Sequence, residues 1–345
     1  MRASAAFCLA GVAAGAGLYF GNLAYVSAND ARQAAHQPKP VATFQADVAL
    51  KGGVNAVAFS PKGTLLAAAD ADGTVRLWNL ANDRPFGQVL TAGTEPAKAI
   101  AFSLDGKLLA TADADGTVRV WDVATSRSVG SSRLSGTGPV SGLAFDPGGD
   151  LAVAYGDGTV QVWSPLSGET VGSSVRAGTE AAYGVSFRPD GRLLATADMD
   201  GTVRVWQTPA GAAVGRPLPE GKGAVYQAVF SPDGGLVASA DDDGTVRLWS
   251  LVISQPVIGP LPGGSPRVYG VAFSPDGKLL AAANQDGKVR FWDLVTDRQV
   301  GPPLPADSGG VVYKVAFSPD GKFLATADAD GTVRLWAPPK LSSAP

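Results

Sequence analysis

The chain has 345 residues, 45% hydrophobic and 17% charged, so a large core is easily buried, while 44 glycines and 25 prolines without a collagen period exclude a helical protein. A net charge of −3 and a pI near 5.2 exclude the electrostatic footprint of a surface for DNA, RNA or anionic lipid. The single cysteine, Cys8, lies near the N-terminus, so the rest of the chain forms no disulfide and no thiolate metal site.

In chain order, Arg2 is followed by nineteen uncharged residues, 3–21, and then by NLAYVSA, which ends in Val26-Ser27-Ala28. Small residues at these positions suit a signal peptidase, which makes residues 1–28 a signal peptide cut after Ala28. The competing reading is an uncleaved membrane anchor, because nineteen residues is near the lower limit for a bilayer span. A third is a buried or disordered apolar tail. Positive charge at the start and Asp30 just beyond place the body outside the cytoplasm in both leading readings, secreted or anchored by the N-terminal segment. Residues 29–41 are polar and proline-containing, a flexible linker with no core of its own.

The body, residues 42–337, is set by its seven tryptophans. Trp78, Trp121, Trp163, Trp206, Trp249, Trp292 and Trp336 recur at intervals of 43, 42, 43, 43, 43 and 44 residues. A period near forty with strand signals in each unit predicts an all-β, seven-bladed propeller of four-stranded antiparallel blades. In the first unit Val57 and Phe59 alternate with small residues as one strand, and 61–63 form a turn that elsewhere reads Pro-Asp-Gly. Residues 64–69 make a second strand, Asp72-Gly73 a hairpin turn and 74–78 a third strand. A weaker fourth strand follows in the first six units, as PFGQVL or AVGRPL, with proline and glycine suiting an outer edge. After Trp336 only APPKLSSAP remains, of which 338–345 is a tail, whereas an unpartnered strand, VATFQADVAL, precedes the first unit. Joining it to the seventh blade supplies the missing outer strand and removes an exposed edge.

The motifs AFSPDG, LLATADADGTVRLW and the terminal Trp121-Asp122 and Trp292-Asp293 resemble the bacterial WD-repeat propellers. The resemblance implies interaction platforms that serve many partners and no particular ligand. It also marks a departure. The family carries a histidine ahead of each blade that joins the turn aspartate, a Ser or Thr and the tryptophan in a hydrogen-bond relay. Here the only histidine is His36 in the linker. Thr111, Thr196, Ser239 and Thr326 keep the hydroxyl position, while Ala68, Val153 and Ala282 do not.

Without histidine or cysteine in the body, Ser-His-Asp and Cys-His catalysis and a usual zinc site have no ligands, so the chain is expected to be no enzyme and to need no cofactor. Asp-x-Asp-Gly recurs as Asp70/Asp72, Asp113/Asp115, Asp198/Asp200, Asp241/Asp243 and Asp328/Asp330, with Tyr155 and Asn284 at the first position of the other two blades. Calcium is one reading of this pattern, and hairpin-turn formation is the plainer one. The arginine of TVRLW, at 76, 119, 204, 247, 290 and 334 with Gln161 in blade 3, is expected to be a solvated or cross-strand paired charge worth little.

In a repeat protein, function is expected where equivalent positions differ. Four residues before the first-strand Phe, blades 1–3 carry Asn55, Lys98 and Ser141, and blades 4–7 carry Tyr183, Tyr226, Tyr269 and Tyr313. By resemblance this position opens the innermost strand at the top rim of the channel. Between the two turn aspartates, Met199, Asp242 and Gln285 replace the Ala or Gly of other blades, and Arg267 adds a cation. Tyrosines joined by Met and Arg are hot-spot chemistry for a protein or peptide partner. Strand parity allows a second reading, in which each tyrosine is core between blades, and the two combine if the rings pack between blades with their hydroxyls at the rim. The expected function is therefore a non-enzymatic, monomeric, extracytoplasmic scaffold binding no nucleic acid. The alternative is a propeller lyase or glycosidase using carboxylates and tyrosines at the channel mouth.

Overall fold

The computed structural model describes residues 38–45, 52–132, 137–178, 180–219, 221, 223–251, 255–307 and 310–341. The chain divides into the units Met1–Lys39 and Pro40–Pro345, and the expected leader, 1–28, lies outside the described residues, as does most of the linker. Among the described residues no helix is long and apolar enough to cross a membrane.

The described part of Pro40–Pro345 consists of seven antiparallel sheets, one for each tryptophan repeat, arranged as a propeller. Blade 1 shows the plan, with an innermost strand Val54–Phe59, a second strand Leu65–Asp70 and a third strand Thr74–Asn79. Its outer strand is broken into Arg84–Pro85 and Leu90–Thr91, and the same break occurs in blade 6 at Arg298–Gln299 and Leu304–Pro305. Gly and Pro weaken the ladder there, although in blade 5 the outer strand Gln255–Pro262 runs unbroken with shifts in register. What survives is the last apolar residue of each outer stretch. Leu90, Val175, Leu218, Leu261 and Leu304 are all buried and pair with Val75, Val160, Val203, Val246 and Val289 of the third strand. In blade 7 the outermost strand is Ala42–Gln45, paired with Thr332–Trp336 in a register running from Ala42↔Leu335 to Gln45↔Thr332.

The core lies between blades. Sheets that converge on an axis leave little room near it, so the second strands carry Ala67, Ala68 and Ala69 in blade 1, with no exposed surface. Larger residues fill the wider space outside. Each interblade cluster is closed by the tryptophan of the later blade, as Trp292 closes the cluster that joins Ala240, Val246 and Leu248 to Val268 and Leu280. The Asp-x-Asp-Gly turns also follow from local chemistry. Gly73 adopts φ +81°, and a Cβ there would lie 2.7 Å from the carbonyl oxygen of Gly93, so both conformation and space demand glycine. Asp72 Oδ1 accepts the Thr74 backbone N–H at 2.9 Å and its hydroxyl at 2.6 Å, which closes the turn.

Candidate partner-binding face

The first strand of every blade carries a β-bulge at the position that differs among repeats. In blade 4 Ala182 pairs with Asp198 and Gly184 with Ala197, which leaves Tyr183 as the extra residue. The same shift isolates Asn55, Lys98, Ser141, Tyr226, Tyr269 and Tyr313. A bulge releases a side chain from strict alternation and re-aims it. Strand parity therefore does not apply to these tyrosines, and they neither sink into the core nor stand free. All four are half-buried.

They form one continuous stack across four blades. Ring centroids lie 5.6 Å apart for Tyr183–Tyr226, 5.0 Å for Tyr226–Tyr269 and 5.8 Å for Tyr269–Tyr313, all tilted or edge-on as aromatic quadrupoles prefer. The residues from the neighbouring turns join the stack. The Tyr226 hydroxyl donates to Asp242 Oδ1 at 2.7 Å, and Arg267 Nε donates to the same oxygen at 2.6 Å. Burial, and then the hydrogen bond to Asp242, hold the Tyr226 phenol well above its ordinary range. The hydrogen bond to Tyr269, together with the nearby Asp242, holds the Arg267 guanidinium firmly charged. The Tyr183 hydroxyl reaches Met199 Sδ at 3.5 Å, and Met199 is 44% exposed. Gln285 is half-buried, its backbone N–H bonded to the Arg267 carbonyl at 3.1 Å. On the other arc, Asn55 Nδ2 donates to the Ala97 carbonyl at 2.9 Å and ties blade 1 to blade 2, while Lys98 is exposed. The two diversified positions thus meet on the face that carries the Asp-x-Asp-Gly turns. The arrangement offers wide aromatic area, one fixed ion pair and one exposed thioether, which suits contact with another chain.

Seven stretches, residues 38–79, 86–122, 129–164, 172–207, 215–250, 256–293 and 302–337, match the family described as WD domain, G-beta repeat. The chain belongs to this WD-repeat family. No curated protein matches it.

Within a WD-repeat blade that lacks histidine, arginine takes the aspartate. Arg204 donates to Asp198 Oδ2 at 2.7 Å, the Thr196 hydroxyl donates to the same oxygen at 3.2 Å, and Trp206 Nε1 donates to Thr196 at 3.3 Å. Arg119–Asp113, Arg247–Asp241 and Arg334–Asp328 repeat the pair at 2.5–2.8 Å, and Arg76 pairs with Asp70 likewise. The other carboxylate oxygen, Oδ1, is buried in all five blades and has no hydrogen-bond partner among the described residues. These arginines are the cross-strand paired charges that the sequence offered as one alternative, but they are worth more than expected there, because each meets a carboxylate with almost no exposed area. Burial pushes the carboxyls up to about 6 for Asp70 and Asp198 and about 7 for Asp113, Asp241 and Asp328, against the pull of the arginines. The exceptions agree. Blade 3 replaces Asp and Arg together, by Tyr155 and Gln161, and in blade 6 Arg290 turns to Asp286 at 2.7 Å because Asn284 stands at the buried position. The second aspartates are likewise engaged by protein donors, as Asp200 is by Arg204 at 2.7 Å and by the Thr202 hydroxyl at 2.7 Å.

One residue past the bulge, the repeats differ again, a signal missed in the sequence. That position is Ala56, Ala99, Gly142, Gly184, Gln227, Gly270 and Lys314. In every blade but the sixth it lines the central channel, a cavity of about 460 Å³ walled by the first strands of all seven blades.

Proposed function

We propose that this WD-repeat propeller is a non-enzymatic, monomeric, extracytoplasmic scaffold that holds a protein or peptide partner on the face of blades 4–7. The observation that carries the reading is the unbroken tyrosine stack joined to Met199 and to the Asp242–Arg267 pair. Four rings that brace one another lose little conformational freedom when a partner covers them, which is the usual property of a hot spot. The membrane enters only through residues 1–28, as a cleaved signal or an anchor, and no nucleic acid is involved.

The test is affinity capture from the membrane fraction of the native host. The wild-type chain is compared with Tyr226→Ala/Tyr269→Ala and with Ser141→Ala on the opposite arc. A specific partner held by wild type and Ser141→Ala should be lost from the double variant, at about 2 kcal/mol or more per aromatic anchor. Because large-to-small changes also destabilise by roughly 3–5 kcal/mol in a core, thermal unfolding is measured alongside. Equal capture by a folded double variant would refute the assignment. A reporter fused to residues 1–40 should cross the membrane, and a soluble cytoplasmic reporter would remove the extracytoplasmic part of the proposal.

A further inference from the structure

The central channel holds a cation that the fold does not need. At its tier five of the seven inner-strand residues are Ala or Gly, because seven strands converge on the axis there. Lys314 and Gln227 are the two exceptions. The Lys314 side chain forms no ion pair or hydrogen bond among the described residues, and desolvation alone draws its ammonium down to about 8. It retains some accessible surface only because the channel is open. Among the described residues, the one other charged residue lining the cavity is Lys98 at the rim, and no carboxylate lines it.

Gln227 supplies the second donor. Its Oε1 accepts the Val271 backbone N–H at 3.2 Å, which fixes the amide orientation and leaves the NH₂ end without a hydrogen bond among the described residues. Gly270 occupies the same tier on the strand between theirs, and a Cβ there would lie 3.2 Å from Gln227 Oε1 and 3.3 Å from the Lys314 Cα, so its missing side chain leaves the channel open beside both residues. Among the described residues the cavity thus carries an ammonium without an ion pair and an amide NH₂ without an acceptor, and no carboxylate to balance them. A desolvated cation without a counterion strongly favours an anion, and one positive charge with one amide matches a monoanion with two oxygens.

We infer that the central channel binds a carboxylate, held by the Lys314 ammonium and the Gln227 amide. The carboxylate belongs either to a small organic acid or to the C-terminus of a peptide threaded into the channel. The site adjoins the tyrosine stack, since Tyr183 lines the same cavity, but it uses different residues and stands whether or not a partner covers that face.

Saturation-transfer NMR on the full-length chain tests this with acetate, acetyl-Gly-Ser-Ala and its C-terminal amide as probes and inorganic phosphate as a competitor of acetate. Acetate should bind, and Lys314→Met should weaken it by at least about tenfold, the effect of one charge-assisted hydrogen bond. Gln227→Glu keeps the acceptor for Val271 but supplies an internal counterion, and should weaken acetate as much. If the tripeptide acid binds at least about tenfold tighter than acetate and its amide does not bind, the ligand is a chain end. If the acid binds no tighter than acetate, the ligand is a small organic acid. The thermal midpoint of Lys314→Met should hold or rise, since a desolvated charge is removed. The inference is overturned if no probe saturates, if both variants bind acetate as wild type does, or if phosphate binds tighter than acetate.

Discussion

Removing the ring of Phe44 tests whether the N-terminal strand locks the circle of blades. Phe44 sits at the centre of Ala42–Gln45, is only 6% exposed, and its ring centroid lies 5.4 Å from that of Trp78 in blade 1. It shares a cluster with Val333 and Leu335 of blade 7 and with Val54 and Leu66 of blade 1, so one side chain spans the seam between the last and first repeats. Phe→Ala in a core costs about 3–5 kcal/mol. An edge strand of four residues can relax inward, which places Phe44→Ala near the lower end, at about 3 kcal/mol, of which about 1 is the aromatic contact with Trp78. Phe44→Leu keeps most of the apolar area and should cost only that last part. Val41, one residue before the strand and 59% exposed, is the control, and Val41→Ala should stay within about 0.5 kcal/mol. Urea unfolding followed by tryptophan fluorescence and by far-UV circular dichroism reads both the midpoint and the coincidence of the two transitions. A ring held at its seam should unfold once in wild type. In Phe44→Ala the tryptophan signal should precede the loss of strand signal, because blades 7 and 1 separate first. A Phe44→Ala midpoint equal to that of Val41→Ala, with coincident transitions, would refute the locking role of this strand.

Thr196→Val removes the acceptor of Trp206 and one donor to Asp198, and should cost about 2 kcal/mol in urea unfolding. The reverse change, Val153→Thr, offers an acceptor to Trp163, whose buried Nε1 has no hydrogen-bond partner among the described residues, and should stabilise by about 1 kcal/mol. Equal and opposite signs to these would contradict the relay geometry. For pH, the five buried aspartates titrate at about 6 or 7 in the folded chain against an ordinary value near 3.8, so the folded state holds more protons between those limits. Stability from these groups is complete below the ordinary value and is lost as pH rises through about 6–7, so the urea midpoint should be higher at pH 5.5 than at 7.5. A midpoint that rises over this interval would show that the arginine pairing outweighs burial. In the opposite direction, Thr74 hydrogen bonds hold Asp72 below its ordinary range despite burial, and Ser318 and Lys322 hold Asp320 at about 2, so strong acid should unfold the chain.

Blade number, turn chemistry and strand order are legible in the residues themselves. The tryptophan spacing counts the repeats, and Pro-Asp-Gly and Asp-Gly name their own turns because proline and glycine restrict φ locally. The Asp–Arg pairs were also within reach, since Asp198 and Arg204 stand six residues apart across one hairpin and cross-strand pairing was one of the two readings; what the sequence did not reveal is the burial of the carboxylates. The histidine-free inventory correctly denied the family's relay, and the geometry of Trp206, Thr196, Asp198 and Arg204 is what replaced it.

The face and the channel were another matter. That Tyr183, Tyr226, Tyr269 and Tyr313 differ from their counterparts is a fact of the sequence, but whether they pack inward or meet one another is not. Alternation assigns them to the same side as Val185 or Val271, and it fails because a bulge inserts each one between paired residues. Their stacking requires four blades to stand side by side at a rotation that no single repeat encodes. Lys314 and Gln227 lie 87 residues apart and face a common cavity only after the first strands of all seven blades have converged. Local patterns specify each blade, because its turns and strand pairs involve neighbours in the chain. The tertiary structure alone decides which odd residues share a site, because that is a property of the assembled ring.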